Sequence, residues 1–237
     1  NEQVVHEYLQ WAMCGLPRPK GKFQLYAVEG GTAAMCYIFK SMKTNRLLNA
    51  GDTIALGTPI FTPYLEMPHL EDYDLKIVNI QATQENRWQF DDAELNKLLD
   101  PKIKAFFLVN PGNPSAVALS AKTIAKIGAI IKKRPDLILL TDDVYGTFVP
   151  GFRSLLGAFP YNTIGVYSYS KYFGCTGWRL GVIAVHENNL FDKLIAQHPE
   201  PVLKKIDKRY SALTLEPRKM RFIDRIVADS RDVALNH

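Results

Sequence analysis

Residues 105–114 read AFFLVNPGNP, five apolar residues in succession and then a turn rich in asparagine and proline. A strand with one face in water alternates apolar and polar residues, whereas a strand buried on both faces is apolar throughout. The run LILL at 137–140 has the same continuous apolar character. Both runs therefore predict central strands of a sheet that is covered on its two faces.

Short apolar runs and longer helical stretches alternate along almost two hundred residues around this segment. Such alternation is typical of an α/β fold with a mostly parallel sheet. We expect a three-layer sandwich, in which a mostly parallel seven-stranded sheet carries helices on both faces. The predicted strands are 24–28, 53–56, 75–80, 105–109, 137–141, 163–167 and 181–185. The predicted helices are 31–48, 91–99, 120–134 and 217–235.

The composition of the 237 residues excludes several classes of protein. Hydrophobic residues make up 47%, which is too much for a dominantly disordered chain. No apolar run approaches the ~20 residues of a transmembrane helix, so we expect no membrane partner. Three widely spaced cysteines indicate a reducing compartment, so we expect a cytoplasmic protein. The histidines have no metal-ligand spacing, and we expect no metal.

The net charge of +5 comes from one segment of the chain. Residues 193–231 hold ten Lys and Arg against five Asp and Glu, and the remaining residues are balanced. A basic segment can bind nucleic acid, but acidic residues interleave with the basic ones here. Arg225 and Asp229 have the i,i+4 spacing of a solvated helix face. No nucleic-acid-binding motif accompanies the segment, so we expect no nucleic-acid partner.

Residues that follow the predicted strands are the candidates for a functional site. Parallel α/β sheets bind their ligands at the carboxyl ends of the strands. Gly30, Gly31 and Thr32 follow the first strand and open a helix, whose first backbone N–H groups could bind a phosphate. By itself, a pair of glycines before a helix is more often only a turn.

Two further strand ends carry polar side chains. The strand 105–109 is followed by two Asn-Pro pairs, which include Asn113 and form a rigid turn. The strand 137–141 is followed by Asp142 and Tyr145. A carboxylate at a buried strand end is unfavourable unless it meets a cation or a hydrogen-bond donor. Plain turn chemistry and helix capping are the alternatives for these residues.

The segment SYSKYFGCTGWRLG at 168–181 is compatible with two chemistries. Its lysine, just past a buried strand, is either a surface residue or a desolvated nucleophile. The Ser-x-x-Lys spacing from Ser168 to Lys171 also occurs in penicillin-interacting enzymes, but the Lys-Thr-Gly and Ser-Asp-Asn elements of those enzymes are missing. The second chemistry uses all four strand ends: Lys171 as a Schiff base with pyridoxal phosphate, a carboxylate for the ring nitrogen, and Arg179 among the phosphate ligands.

At these residues the chain resembles the large domain of the aspartate aminotransferase family, the fold type I pyridoxal-phosphate enzymes. The matching elements are the Gly-Gly-Thr turn at 30–32, Pro-Ile-Phe at 59–61, NPGNP at 110–114, Asp142-x-x-Tyr145, Ser168-x-x-Lys171 and Arg179. The resemblance is strongest to bacterial aspartate 4-decarboxylases, which also have aspartate aminotransferase activity. It rests on the passages LLNAGDTIALGTPIFTPYLEMPHLEDYDL, SYSKYFGCTGWRLGVIAVHENN and TLEPRKMRFIDRIVADSRDVALNH.

The resemblance implies a role for each matching residue. Lys171 would be the catalytic residue that binds the cofactor pyridoxal 5'-phosphate covalently and then moves protons. The phosphate would be bound by Gly30, Gly31, Thr32, Ser168 and Arg179. The ring nitrogen would pair with Asp142, the ring oxygen with Asn113 and Tyr145, and the ring face with Phe61. The alternative for Phe61 is a plain core residue.

The resemblance also implies the reaction and the organisation of the protein. The reaction would be β-decarboxylation of L-aspartate to L-alanine and CO2, with aspartate transamination as a side or second activity. Substrates would be amino acids and 2-oxo acids, and the full-length protein would be a homodimer or a higher homo-oligomer. The alternatives are an aminotransferase for another amino acid and a non-catalytic ligand-sensing module.

The length of the chain departs from the family pattern, because family subunits also carry an N-terminal arm and a C-terminal small domain. We expect residues 1–215 to form the pyridoxal-phosphate-binding large domain. Residues 216–237 would form a helix that leads toward a small domain absent from this chain. The resemblance places the arginine for the substrate α-carboxylate in that small domain. We therefore expect a large-domain fragment that is poorly active when isolated.

Overall fold

The computed structural model of the chain describes residues 2–12, 18–70 and 73–231. The strands within these ranges are β1 Phe23–Val28, β2 Thr53–Thr58, β3 Lys76–Gln81, β4 Ile103–Val109, β5 Ile138–Asp142, β6 Thr163–Ser168 and β7 Gly181–His186. They form one seven-stranded sheet in the spatial order β1-β7-β6-β5-β4-β2-β3. Each predicted strand is present, with its ends within two residues of the predicted ones.

The sheet is mostly parallel, as the sequence predicts. β3, β2, β4, β5 and β6 are parallel neighbours, and β7 is antiparallel to both β6 and β1. The helices are α1 Glu2–Ala12, α2 Gly31–Thr44, α3 Pro63–Glu66, α4 Asp92–Asn96, α5 Ala121–Lys133, α6 Leu155–Ala158, α7 Leu190–Ala196, α8 Glu200–Tyr210 and α9 Phe222–Ser230.

Helices cover both faces of the sheet, because successive residues of a strand point to opposite faces. In β4, Phe107 and Val109 pack in the core that α2, α7, α8 and α9 cover. Phe106 and Leu108 pack in the core that α4, α5 and α6 cover. The continuous apolar run of β4 therefore fills two cores at once, and the predicted three-layer α/β sandwich is confirmed.

Two predicted helices end earlier than the sequence pattern indicates. The helix predicted at 31–48 ends at Thr44, and Arg46 has a left-handed φ of 60° that interrupts it. The helix predicted at 91–99 is α4 followed by a 3-10 turn, Lys97–Leu99. Its start follows the expected chemistry, because the side chain of Asp91 accepts a hydrogen bond from the backbone N–H of Glu94 at 2.8 Å.

The helix predicted at 217–235 begins later than expected. Pro217–Lys219 is a separate 3-10 turn, and Met220 is extended with ψ 128°, so α9 starts only at Phe222. Arg225 donates from Nη2 to the Pro217 carbonyl at 2.9 Å and from Nε to the Met220 carbonyl at 3.2 Å, which holds this break in place. Residues 232–237 of the predicted helix lie outside the described ranges.

Arg225 and Asp229 contradict the prediction of a solvated helix face. They are 2% and 1% exposed, because this side of α9 packs against α2 and α8. Arg225 donates to Asn45 Oδ1 at 3.1 Å and lies over the ring of Tyr210. The Asp229 carboxylate accepts hydrogen bonds of 2.8–2.9 Å from Ser41, Thr44, Arg209 and Tyr210. The i,i+4 spacing of Arg225 and Asp229 therefore belongs to a buried polar network between α2, α8 and α9.

Replacement of Asp229 by alanine should destabilise the fold strongly. It leaves the buried donors that surround this carboxylate without an acceptor, so we expect a loss of about 3–5 kcal/mol in the free energy of unfolding. Urea unfolding followed by circular dichroism measures it. Asp224→Ala, on the exposed side of the same helix, is the control and should lose only about 1 kcal/mol. Equal losses in the two variants would show that the network does not stabilise the fold.

Candidate active site

A pocket of about 190 Å³ lies at the carboxyl edge of the sheet, where β4, β5 and β6 end and α2 begins. Nine of the ten predicted site residues line it: Gly31, Thr32, Phe61, Asn113, Asp142, Tyr145, Ser168, Lys171 and Arg179. Gly30 is not part of the lining, but a Cβ at this residue would collide with the Arg179 guanidinium. The fold therefore gathers the predicted residues from distant parts of the chain in one place.

Strand pairing explains why several of these residues meet. Gly181, the first residue of β7, pairs with Ser168 at the end of β6 and with Val28 at the end of β1. A Cβ at Gly181 would lie 2.9 Å from the Gly30 backbone, so the close approach of these strands requires glycine. Since β7 is antiparallel to β6, the loop between them leaves and returns at the same edge, and it carries Lys171.

Asp142 is a buried carboxylate that lines the pocket at the end of β5. Its Oδ2 accepts a 2.7 Å hydrogen bond from the Tyr64 hydroxyl, and its Oδ1 accepts a 3.1 Å bond from the Val144 backbone N–H. Burial raises the pKa of Asp142, and both hydrogen bonds lower it. Among the described residues it has no cationic partner. A buried acceptor of this kind suits a ligand that presents a positively charged N–H group.

The start of α2 and the guanidinium of Arg179 form an anion-binding element. Gly30 precedes the helix with a φ of 94°, and no side chain caps its first backbone N–H groups. Arg179 donates from Nη2 to the Glu29 carbonyl at 3.1 Å and from Nη1 to the Thr176 carbonyl at 3.0 Å. These bonds hold the guanidinium beside the helix N-terminus, an arrangement that suits a phosphate group.

Two serine hydroxyls extend this element. Ser168 Oγ donates to Ser170 Oγ at 3.0 Å, and Arg179 Nη1 donates to the same Ser170 Oγ at 3.3 Å. Thr176, which also lines the pocket, donates to the Ser170 carbonyl at 2.9 Å and so braces the loop. Sequence analysis misses Ser170 and Thr176. The signal for Ser170 is its position between Ser168 and Lys171.

Lys171 and a pair of hydrogen-bonding side chains occupy the remaining wall. The Lys171 side chain lines the pocket and is exposed, and its Nζ has no hydrogen bond or ion pair with any described residue. Asn113 Nδ2 donates to Tyr145 Oη at 3.4 Å. Burial and the negative charge of Asp142 raise the pKa of Tyr145, so its hydroxyl stays protonated and can donate to a ligand.

Phe61 and Tyr64 lie one helical turn apart next to Asp142. Phe61 is 38% exposed and lines the pocket, so it is not the plain core residue of the alternative prediction. Its ring meets the edge of the Tyr64 ring at a centroid distance of 5.3 Å. Sequence analysis misses Tyr64, which is buried. The available signal is its position three residues after Phe61, at the turn that leads into α3.

Asp143 shows that two adjacent carboxylates have different environments. It lies beside Leu9 and Leu156 in the core on the other face of the sheet. Thr141 donates to its Oδ1 at 2.7 Å, and Ser154 donates to its Oδ2. Burial raises the pKa of Asp143 to about 7, although both hydroxyl donors lower it. Strand alternation therefore leaves only Asp142 available to a ligand in the pocket.

The raised pKa of Asp143 predicts a pH-dependent stability. The native state binds this proton more tightly than the unfolded chain, so stability falls as pH rises from about 4, the ordinary Asp pKa, to about 7. The slope reaches about 1.4 kcal/mol per pH unit for one group.

Asp143→Asn cannot ionise and should remove this contribution. Urea unfolding of both proteins between pH 4 and 8 measures it. We expect the stability of the wild type, relative to the variant, to fall across this range. A constant difference would mean that Asp143 has an ordinary pKa in the folded protein.

The described ranges contain no group of three or more His, Cys, Asp or Glu side chains placed to bind a metal ion. No helix in the described part of the chain is long and apolar enough to span a bilayer.

Sequence comparison relates the chain to aminotransferases. The family model for aminotransferase class I and II matches residues 27–213. A bifunctional aspartate aminotransferase and L-aspartate beta-decarboxylase from a Pseudomonas species is 54% identical over 238 residues, which are all of this chain and 45% of that protein. An aspartate aminotransferase from Pyrococcus abyssi is 32% identical over 149 residues, or 60% of this chain and 37% of that protein. The chain thus spans less than half of these relatives.

Solved structures share the fold. A tetra mutant of the Thermus thermophilus aspartate aminotransferase aligns with a TM-score of 0.63 at 18% identity, over 97% of this chain and 56% of that one. An aromatic aminotransferase from Pyrococcus horikoshii aligns with a TM-score of 0.63 at 21% identity, over 98% of this chain and 60% of that one. The family-model match over residues 27–213 and the 54% identity to the Pseudomonas enzyme over the whole chain establish that the chain belongs to the class I and II aminotransferase family.

Proposed function

We propose that this chain is the pyridoxal-phosphate-binding part of an enzyme that acts on L-aspartate. The enzyme releases the β-carboxylate as CO2 to leave L-alanine, and it transaminates aspartate as a second activity. The observation that carries the proposal is one pocket holding a buried carboxylate, an exposed amine and an anion-binding helix start. The 54% identity to the Pseudomonas bifunctional enzyme supports aspartate as the substrate.

Pyridoxal phosphate is the cofactor of this family, and the pocket offers partners for each of its polar groups. Asp142 suits the ring nitrogen, because it is a buried acceptor with no cationic partner in the part of the chain that the structure describes. The start of α2, Arg179 and the hydroxyls of Ser168 and Ser170 suit the phosphate. Gly30, Gly31 and Thr32 belong to this helix start, and Phe61 lies at the pocket beside Tyr64.

When bound, pyridoxal phosphate supplies a ring that withdraws electrons from the carbon atoms of an attached amino acid. Asp142 supports this property, because an anion beside the ring nitrogen keeps that nitrogen protonated. Asn113 and Tyr145 donate hydrogen bonds toward the ring oxygen and orient the ring. Lys171 Nζ removes the proton from the α-carbon as a base and returns a proton as an acid.

β-Decarboxylation and transamination share this proton removal. They diverge afterwards through the groups that surround the distal carboxylate and through the access of water. We propose that the arginine for the substrate α-carboxylate lies in the C-terminal small domain, as the family resemblance implies. Residues 1–215 are the large domain of this proposal, and 216–237 lead toward the small domain.

The full-length protein is, in this proposal, a cytoplasmic homodimer or higher homo-oligomer. Support comes from large apolar side chains that are exposed around Lys171. Exposed apolar patches of this kind commonly mark surfaces that another chain or domain covers. Tyr172, Phe173 and Trp178 are 49%, 50% and 78% exposed. The unpaired thiols of Cys36 and Cys175 fit a reducing compartment, and Cys14 lies outside the described residues.

Arg179→Gln should weaken the binding of pyridoxal phosphate by about 10- to 100-fold. The reason is the loss of a charge-assisted hydrogen bond to phosphate, worth about 1.5–3 kcal/mol. Titration of the visible absorbance measures the affinity. The control is Arg218→Gln, because Arg218 pairs with Glu200 and Asp207 away from the pocket, and its loss should leave the affinity unchanged. Unchanged affinity in Arg179→Gln would remove this residue from the phosphate site.

The full-length protein should convert L-aspartate to equal amounts of L-alanine and CO2. Lys171→Ala should lower kcat by at least about 10²- to 10⁴-fold, the usual contribution of a general acid–base group. Borohydride reduction with pyridoxal phosphate should label Lys171 in the wild type and in the control Lys122→Ala, whose lysine lies on α5. Product analysis and peptide mapping provide the two readouts.

The two readouts separate the parts of the proposal. Labelling of Lys171 together with 2-oxo acid but no CO2 would replace the decarboxylase assignment by that of an aminotransferase. Turnover of other amino acids but not of aspartate would overturn the assignment of L-aspartate as the substrate. No label on Lys171 in the full-length protein would contradict the cofactor site itself.

A further inference from the structure

Tyr64 is a buried tyrosine that lines the pocket and has no role assigned to it from the sequence. It lies on α3 and is 2% exposed. Its ring packs against Phe107 of β4 at a centroid distance of 4.9 Å and against Phe61 at 5.3 Å. These contacts fix the ring, so the direction of its hydroxyl is fixed as well. That hydroxyl donates to Asp142 Oδ2 at 2.7 Å.

The Asp142 carboxylate is held by two donors from different parts of the chain. The Val144 backbone N–H, two residues away, donates to Oδ1, whereas the Tyr64 hydroxyl donates to Oδ2 from α3. With one donor on each oxygen, the plane of the carboxylate cannot rotate freely. Each oxygen keeps a second lone pair, which a ligand in the pocket can use.

The direction of the Tyr64 bond is determined by electrostatics. Burial and the adjacent Asp142 charge raise the pKa of Tyr64, so its hydroxyl remains a donor. Burial opposes ionisation of Asp142, and the Tyr64 bond favours it. The other titratable groups near this carboxylate are Tyr145 and Asp143 in the same segment, and Lys171 and Arg179 on the wall of the pocket. None of these four side chains hydrogen-bonds to the Asp142 carboxylate, whereas the Tyr64 side chain does.

We propose that Tyr64 is a positioning residue for the cofactor: its hydroxyl holds Asp142 as an oriented carboxylate that faces the ring nitrogen. The inference rests on the proposed function, because it concerns the affinity of the pocket for pyridoxal phosphate. It adds a residue that acts through Asp142. It also gives α3 a role, since that helix carries the donor to the end of β5.

Tyr64→Phe tests the hydrogen bond while it keeps the ring packing. We expect the Kd for pyridoxal phosphate to rise about tenfold at neutral pH. The pH below which binding of pyridoxal phosphate weakens should rise by about one unit, because a tenfold change in an equilibrium constant corresponds to one pH unit. The sign follows from the lost donor: without it Asp142 protonates at a higher pH and no longer pairs with the ring nitrogen. Absorbance titrations from pH 5 to 9 measure both quantities without turnover.

Tyr210→Phe is a matched control. Tyr210 is also buried and donates to a buried carboxylate, Asp229, at 2.9 Å, but it does not line the pocket. This variant should lose stability and yet bind pyridoxal phosphate as the wild type does, with the same pH profile. A change in Kd in both variants would mean that the effect of Tyr64 is a general loss of stability, and it would overturn the positioning role.

A cofactor-free measurement tests the same bond in the apo protein. The stability lost on Tyr64→Phe should be larger at pH 8 than at pH 5, and it should disappear in an Asp142→Ala background. An equal loss in that background would show that the hydroxyl does not act through Asp142. Failure of the wild type to bind pyridoxal phosphate would overturn the proposed function as well. Normal binding with an unchanged profile in Tyr64→Phe would overturn only this inference.

Discussion

A carboxylate buried at the end of a central strand is the constraint on which the rest of the site depends. Asp142 is the last residue of β5, whose residues are all buried, so water cannot compensate its charge. The fold supplies one donor from the local backbone and another from Tyr64. It supplies no cation among the described residues. The two donors hold the carboxylate in one orientation, and burial raises its pKa. An oriented, buried carboxylate is the partner that a cationic ring nitrogen needs.

The topology explains how the other groups reach this carboxylate. Five parallel strands end at one edge, and β7 returns from that edge in the opposite direction. The loop between β6 and β7 therefore begins and ends at the site, and it carries both Lys171 and Arg179. β1 ends in the same row, which places the start of α2 beside the guanidinium. The Lys171 amine, the Arg179 guanidinium and the start of α2 therefore lie at the same edge of the sheet.

A second buried polar network holds the opposite side of the molecule together. Asp229 and Arg225 of α9 link α2 and α8 through side chains that water does not reach. The i,i+4 spacing of this pair is equally compatible with a solvated face, and only the packing of α9 on α2 distinguishes the two. Local charge patterns predict proximity on a helix. They do not predict which side of that helix is covered.

The sequence by itself determined the seven strands, four of the helices and the α/β class, because apolar periodicity is a local property. Strand-end chemistry, together with the family resemblance, predicted nine of the residues that line the pocket. Sequence analysis missed Tyr64, Ser170 and Thr176, and it placed the ends of several helices wrongly. Those features depend on contacts between distant segments, such as α3 with the end of β5. Only the tertiary structure decided that Asp142 faces the pocket while Asp143 faces the core behind it. The local apolar pattern predicts where the strands lie. The hydrogen-bond partners of a buried charge depend on which distant residues the folded chain brings close to it.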